Sequence, residues 1–200
     1  PLFAIIGGSK VSTKLTVLEN LLRHVDGLIV GGGIANTFLE AAGYNMGASL
    51  VEKDLIPEAK RLIEMAKERG VMLPLPSDVV VAPSFERASE AVTKKVSELS
   101  AEDCAFDIGE ETVKEYAKLL ADARTIVWNG PVGAFETVPF DKGSRALADI
   151  LADSDAYTLV CGGDTVAAVE TFGVAAKMGY LSTGGGAFLE VLEGKTLPAV

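Results

Sequence analysis

Short apolar runs alternate along this chain with longer stretches in which apolar residues recur every third or fourth position. The runs Leu2–Ile6, Gly27–Val30, 71–73 continuing to 79–82, Thr125–Asn129, Tyr157–Cys161 and 179–183 are mostly continuous and β-branched. Runs of that kind fit strands covered on both faces. Between them, Val11, Leu15, Leu18 and Leu22 form one helical stripe, and Leu55, Ala59, Leu62, Ile63 and Ala66 form another that Gly70 can end. Val113, Ala117 and Leu120 mark a third helix, Leu147, Ile150 and Leu151 a fourth, and Val166, Val169 and Phe172 before Gly173 a fifth. Strand followed by helix, about six times over, predicts an α/β fold of three layers, α/β/α. Its centre is a doubly wound, six-stranded parallel sheet, Rossmann-like in plan. Residues 83–107 break the rhythm and read as a peripheral insertion, with Ala91 to Val96 as a short polar strand or hairpin.

Five of the apolar runs stop at a small, glycine-rich turn: Gly7-Gly8, Gly31-Gly32-Gly33, Asn129-Gly130, Gly162-Gly163 and Gly184-Gly185-Gly186. If the runs are parallel strands, all five turns share one edge of the sheet. Glycine lets backbone approach a ligand closely, and turns that open helices aim unpaired N–H groups at anions. The pattern therefore predicts a phosphate-binding edge.

Composition narrows the partners. The chain has 200 residues, 48% hydrophobic and 23% charged, enough apolar material for one globular domain. With a formal net charge of -10 and six arginines, it offers no basic face for nucleic acid or an anionic membrane. Anions must be met locally, by a few lysines, backbone N–H groups or a metal. Cys104 and Cys161 lie far apart, each in an apolar run, and read as two buried thiols in a reducing compartment. The most hydrophobic region, 157–181, is interrupted by Asp164, Glu170 and Lys177, so no transmembrane stretch is expected. The chain opens on Pro1 inside an apolar run and ends at Leu197-Pro198-Ala199-Val200, which suggests a piece of a longer protein.

Candidate chemistry clusters at the turns. Lys10 and Lys14, four apart at the start of the first helix, face each other and the positive end of the helix dipole, each effect costing roughly 0.3–1 kcal/mol. No acid stands three or four residues beyond Lys14, so the pair either binds an anion or bends outward into solvent. Gly31-Gly32-Gly33 opens a helix but lacks the third glycine of a dinucleotide fingerprint, where Asn36 stands. It could wall a planar adenine, or simply allow close packing. After the strand ending in Trp128, Asn129 could donate to phosphate and Glu136 could accept from ribose hydroxyls, with Pro131 rigid between them; a structural turn is the plain alternative. Asp164 stands at or near a helix N-cap, where it is either an ordinary cap or a magnesium ligand acting together with substrate phosphates. His24, the single histidine, lies far from these turns, and no zinc cluster or nucleophile elbow is visible. Catalysis would then rest on charge and position, as phosphoryl transfer does. A nicotinamide-binding oxidoreductase domain and a non-catalytic nucleotide module are the competing classes.

The ordered set Gly-Gly-Ser-Lys-Val-Ser-Thr-Lys at 7–14, Gly-Gly-Gly-Ile-Ala-Asn-Thr-Phe at 31–38, Trp-Asn-Gly-Pro-Val-Gly-Ala-Phe-Glu at 128–136, Gly-Gly-Asp-Thr at 162–165 and Ser-Thr-Gly-Gly-Gly-Ala-Phe-Leu-Glu at 182–190 resembles phosphoglycerate kinase, in a bacterial form. The resemblance covers the C-terminal, nucleotide-binding domain of that two-domain family. It implies that the substrate-binding N-terminal domain and the final helix lie outside residues 1–200. It also implies a monomeric, cytoplasmic enzyme of glycolysis that interconverts 1,3-bisphosphoglycerate plus ADP with 3-phosphoglycerate plus ATP, with Mg²⁺ as cofactor.

By the same resemblance, Lys14 contacts the nucleotide phosphates and Lys10 the transferring phosphoryl group. Asp164 ligates magnesium, with Thr165 beside it. Asn129 contacts phosphate, Glu136 accepts from ribose, and Gly31, Gly32, Gly33 and Pro131 wall the adenosine pocket. Gly162, Gly163, Gly184, Gly185 and Gly186 donate backbone N–H groups to the transferred group. Cys161 stands where many relatives carry glycine, and its Cβ is expected to crowd the phosphate approach. The domain alone should bind Mg-nucleotide and turn over little or nothing.

Overall fold

A computed structural model describes residues 1–184 of the chain. Five strands, β1 (Leu2–Ile6), β2 (Gly27–Val30), β6 (Thr125–Asn129), β7 (Tyr157–Cys161) and β8 (Tyr180–Ser182), pair in parallel in the order β2-β1-β6-β7-β8. Three more, β3 (Asp78–Ala82), β4 (Val92–Lys95) and β5 (Cys104–Ile108), form a small antiparallel sheet in the order β4-β3-β5. The helices are α1 (Val11–His24), α2 (Gly32–Ala41), α3 (Ile56–Arg69), α4 (Glu110–Leu120), α5 (Lys142–Asp153) and α6 (Gly163–Thr171).

The two-residue alternation along each parallel strand sorts the core into two layers. Ala4, Ile6, Leu28, Val30 and Val127 face α1, α2 and α3 through Leu18, Phe38 and Leu62. Phe3, Ile5, Ile29 and Trp128 face α4, α5 and α6 through Tyr116, Leu147 and Val169. Side chains buried to this degree contribute roughly 1.5–3 kcal/mol each, which holds the three layers together. The expected helix end at Gly70 is present: that residue takes the left-handed conformation, φ 69, as the C-cap of α3.

The fold class is as expected, but the large sheet has five described strands rather than six. The run at 71–73 does not continue into 79–82, because Pro74 and Pro76 remove two N–H donors between them. What remains beside β2 is one parallel bridge, Gly27 to Met72, with the Leu28 N–H donating to the Met72 carbonyl at 2.8 Å. The chain then turns into β3 of the second sheet. There Val79 and Val81 pack with Leu39, Met46 and Val96. Residues 83–107 are consequently not peripheral: the expected polar strand is β4, and β5 carries the segment back against the large sheet's carboxyl edge.

Candidate functional site

Within the large sheet the order is second, first, third, fourth, fifth by sequence, so the winding reverses between β1 and β6, and a crevice at such a reversal is where doubly wound sheets bind ligands. The turns after β1 and β6 meet there. The Gly7 N–H donates to the Asn129 carbonyl at 2.9 Å, and a side chain on Gly7 would collide with the carbonyl oxygens of Gly130 and Pro131. Gly130 has φ 98 and would meet the Gly7 backbone in the same way, so both positions require glycine.

The Gly31–Gly33 turn packs closely on its neighbours. The Gly31 N–H is spent on the Ile6 carbonyl at 2.8 Å, and that of Gly32 on the Val132 carbonyl at 3.2 Å. A side chain on Gly33 would strike the Ser9 carbonyl. These glycines therefore serve close packing against the neighbouring turns and form a wall; two of their donors are unavailable to a pyrophosphate.

Lys14 reaches across the reversal point. Its Nζ donates to Asn129 Oδ1 at 3.1 Å, and partial burial lowers its pKa. Asn129 in turn lies beside Gly162, whose φ of 96 demands glycine and where a Cβ would come within 3.4 Å of Asn129 Oδ1. Thr165 completes the cluster by accepting the Gly130 N–H at Oγ1, 2.6 Å away. Four expected site residues, Lys14, Asn129, Gly162 and Thr165, are thus brought together by the ends of three elements.

Lys10 does not share Lys14's helical face. It is the N-cap of α1, in extended conformation (φ -133), and is exposed. The helix start is also not short of an acid. Glu52, forty residues away in sequence, accepts the Ser12 N–H at 3.0 Å and the Ser12 hydroxyl at 2.6 Å; desolvation pushes its carboxyl up, but those bonds, with the Val11 N–H and the charge of Lys10, outweigh it and hold the carboxyl below the usual range. Local spacing had no means of reporting that partner.

At the end of β7, Gly162 is the N-cap of α6 and Asp164 is the second helical residue, not the cap. Asp164 is exposed and makes no ion pair among the described residues. Gly162 donates its N–H to the Ser182 carbonyl at 2.8 Å, whereas those of Gly163 and Asp164 take no acceptor among the described residues. Cys161 is fully buried in the α1–α3 layer, so its side chain points away from this edge and does not crowd it; burial pushes the thiol up to about 12. Cys104, also free, is only partly buried, with Sγ 3.4 Å from the Ala48 carbonyl. Gly184 is exposed just beyond β8; Gly185 and Gly186 lie outside the described residues.

A cleft of about 530 Å³ opens on this edge. Gly8, Gly33, Pro131, Glu136 and Asp164 line it, which joins the expected wall, ribose acceptor and carboxylate in one concavity. Lys14 flanks its Gly8 end, since a Cβ on Gly8 would lie 3.9 Å from Lys14 Cε. Sequence reasoning missed the aromatic side. Phe85, 49% exposed, stacks on Phe106 at 4.2 Å between ring centroids, and both line the cleft. The available signal was an aromatic in an otherwise polar loop, Ser84-Phe85-Glu86-Arg87. A second cavity of about 470 Å³ lies between β4 and the starts of α4 and α5, and no glycine turn of the carboxyl edge lines it.

The fit of magnesium rests on the donors the chain offers. Among the described residues no group of three metal-ligating side chains exists. The exposed Asp164 carboxylate on the cleft wall suits Mg²⁺, which keeps waters and binds through one or two carboxylates plus substrate phosphates.

The family model described as phosphoglycerate kinase matches residues 1–195. Among solved structures, phosphoglycerate kinase from Coxiella burnetii is similar at 54% identity and a TM-score of 0.91, over 100% of this chain and 52% of that one. Phosphoglycerate kinase from Pyrococcus horikoshii OT3 is similar at 30% identity and a TM-score of 0.80, over 100% of this chain and 50% of that one. The chain therefore spans about half the length of each.

Proposed function

The chain belongs to the phosphoglycerate kinase family, and from that premise we propose that it binds Mg-ADP and Mg-ATP on the carboxyl edge of its parallel sheet, as the nucleotide half of a two-domain kinase. The whole protein would transfer the 1-phosphoryl group of 1,3-bisphosphoglycerate to ADP, reversibly, in the cytoplasm and as a monomer. The acceptor's grip would come from a domain beyond these residues, and the chain alone would turn over little. One observation carries the reading: Lys14, Asn129, Gly162 and Thr165 converge at the reversal point beside a cleft lined by Glu136 and Asp164.

Adenine would lie against Gly33 and Pro131, with its ribose hydroxyls at Glu136. The phosphates would then run toward Lys14 and the start of α6. Lys14 is poised for exchange, since a charged donor now resting on a neutral amide oxygen gains by moving to a phosphate oxygen. The N–H groups of Gly163 and Asp164, without an acceptor among the described residues, and the exposed Lys10 would face the charge that develops on the migrating group, where preorganised donors act most strongly. Asp164 would hold Mg²⁺, which supplies charge neutralisation across the phosphate oxygens. Gly184 to Gly186 would add donors for the transferred group.

Calorimetric titration of MgADP into the chain and into Lys14→Ala tests this reading. Loss of a charge-assisted bond to phosphate should weaken binding by about 1.5–3 kcal/mol. Equal binding by both would refute the placement of the phosphates, and thermal protection by NAD but not MgADP would refute the kinase reading altogether. Joining the chain to the other half of a family member and assaying ATP formation separates a catalytic domain from a module that only binds.

A further inference from the structure

Two buried aspartates lie on the paired strands β3 and β5 of the small antiparallel sheet, Asp107 across from Val80 and Asp78 two positions along from it. Asp78, in β3, caps α4: its carboxyl oxygens accept the Thr112 N–H at 2.9 Å and the Glu111 N–H at 3.2 Å. Asp107, in β5 and 4% exposed, does the same for α5, accepting the Gly143 N–H at 2.8 Å, and it also accepts its neighbour Ile108's N–H at 2.9 Å. Asp78 also accepts the Thr112 hydroxyl at 2.6 Å, and a glycine packs on each carboxyl group: Gly109 of the α4 start on Asp78, and Gly133 of the cleft wall on Asp107. A side chain on Gly133 would collide with Asp107 Oδ1, so the bare Cα of Gly133 packs directly on the carboxyl group.

Gly133 belongs to the loop that walls the cleft, through Gly133, Ala134, Phe135 and Glu136. That loop is suspended between two supports. On one side the Ala134 N–H donates to the Phe106 carbonyl of β5 at 2.9 Å. On the other, the Val132 N–H donates to the hydroxyl of buried Ser144, in the first turn of α5, at 3.1 Å. Asp107 is the side chain that joins β5 to that first turn of α5, and so fixes the separation of the two supports. It does not itself line the cleft, whereas Phe106, Gly133, Ala134 and Phe135 do.

We propose that Asp107 is a positioning residue for nucleotide binding: by tying β5 to the start of α5 it holds the Gly133–Glu136 wall at the distance from Gly33 that a nucleotide requires. The proposal rests on the reading of the cleft as a nucleotide site and adds a residue to it that the motifs did not mark. Burial pushes the Asp107 carboxyl up to about 8, with Asp141 raising it and Lys142 and the two backbone N–H donors lowering it. In either protonation state both oxygens can accept hydrogen bonds. An asparagine there cannot, because its amide nitrogen would face an N–H donor.

The test compares Asp107→Asn with Asp78→Asn, which loses the equivalent helix cap without touching the cleft wall. MgADP is titrated calorimetrically into the unaltered chain and both variants at a temperature where unfolding curves show each to be folded. The expected result is about a tenfold loss of affinity in Asp107→Asn and none in Asp78→Asn. Unchanged binding by Asp107→Asn, or an equal loss in Asp78→Asn, overturns the proposal. Should Asp107→Asn not fold, Gly143→Ala takes its place, since the added methyl collides with Asp107 Oδ1 from the α5 side and leaves the cleft lining intact. Unchanged binding there overturns the proposal equally. No MgADP binding by the unaltered chain would overturn the nucleotide reading itself, and this proposal with it.

Discussion

The buried Asp107 makes the stability of this chain depend on pH in a window where few other groups titrate. Its carboxyl keeps its proton in the folded chain up to about 8, while an unfolded aspartate releases it near 3.9. Between those values the native state binds one proton more than the unfolded state, so stability is fully present below the lower value and falls as pH rises through the upper one. The slope is about 1.4 kcal/mol per pH unit, or about 2.7 kcal/mol between pH 5 and pH 7. Asp107→Asn abolishes this contribution. The variant should therefore show its largest deficit against the parent at pH 5, and that deficit should narrow by about 2.7 kcal/mol at pH 7. Glu52 and Asp103, both held below their usual carboxylate range, change protonation below this window. Urea unfolding followed by the fluorescence of Trp128, the single tryptophan and fully buried, reads the difference directly. A constant gap between parent and variant from pH 5 to pH 7, or one that widens, would refute the reasoning.

Two further outcomes are expected. Gly7→Ala should cost about 1–3 kcal/mol of stability, measured by urea unfolding, and weaken MgADP binding, because the methyl forces the turns after β1 and β6 apart; a variant as stable as its parent would deny that contact. A thiol reagent at pH 8 should modify Cys104 slowly and Cys161 only in denaturant, since burial raises both pKa values and Cys161 reaches about 12; rapid loss of both thiols from the folded chain would contradict the placement of Cys161.

The parallel sheet and its glycine edge were legible because each depends on local sequence. Continuous runs such as Leu2–Ile6 and Thr125–Asn129 appear as the strands they suggested, and their turns share one edge. What was not legible depends on partners distant along the chain. Nothing near Lys10 announces Glu52, and only the pairing of β3 with β5 brings Phe106 to the cleft. Pro74 and Pro76 were the visible sign that the run at 71–73 would not extend into 79–82. Cys161 teaches a related lesson: its neighbours in sequence are site glycines, yet strand alternation turns its side chain into the core. The residues gathered at the reversal point, Lys14, Asn129, Gly162 and Thr165, were all named by motif, while their mutual contacts came only with the fold.

The contact between Gly7 and Gly130 has a consequence for how this chain tolerates mutation. Where two turns touch through bare backbone, the frame of the crevice is set by main-chain atoms, and any added side chain at either position is shut out. Ser9 and Lys10, close by in sequence, carry exposed side chains that meet no such backbone contact. Inherited variation can therefore alter the charge along the rim while the opening beneath it keeps its dimensions, so shape and electrostatics at this edge are separately adjustable.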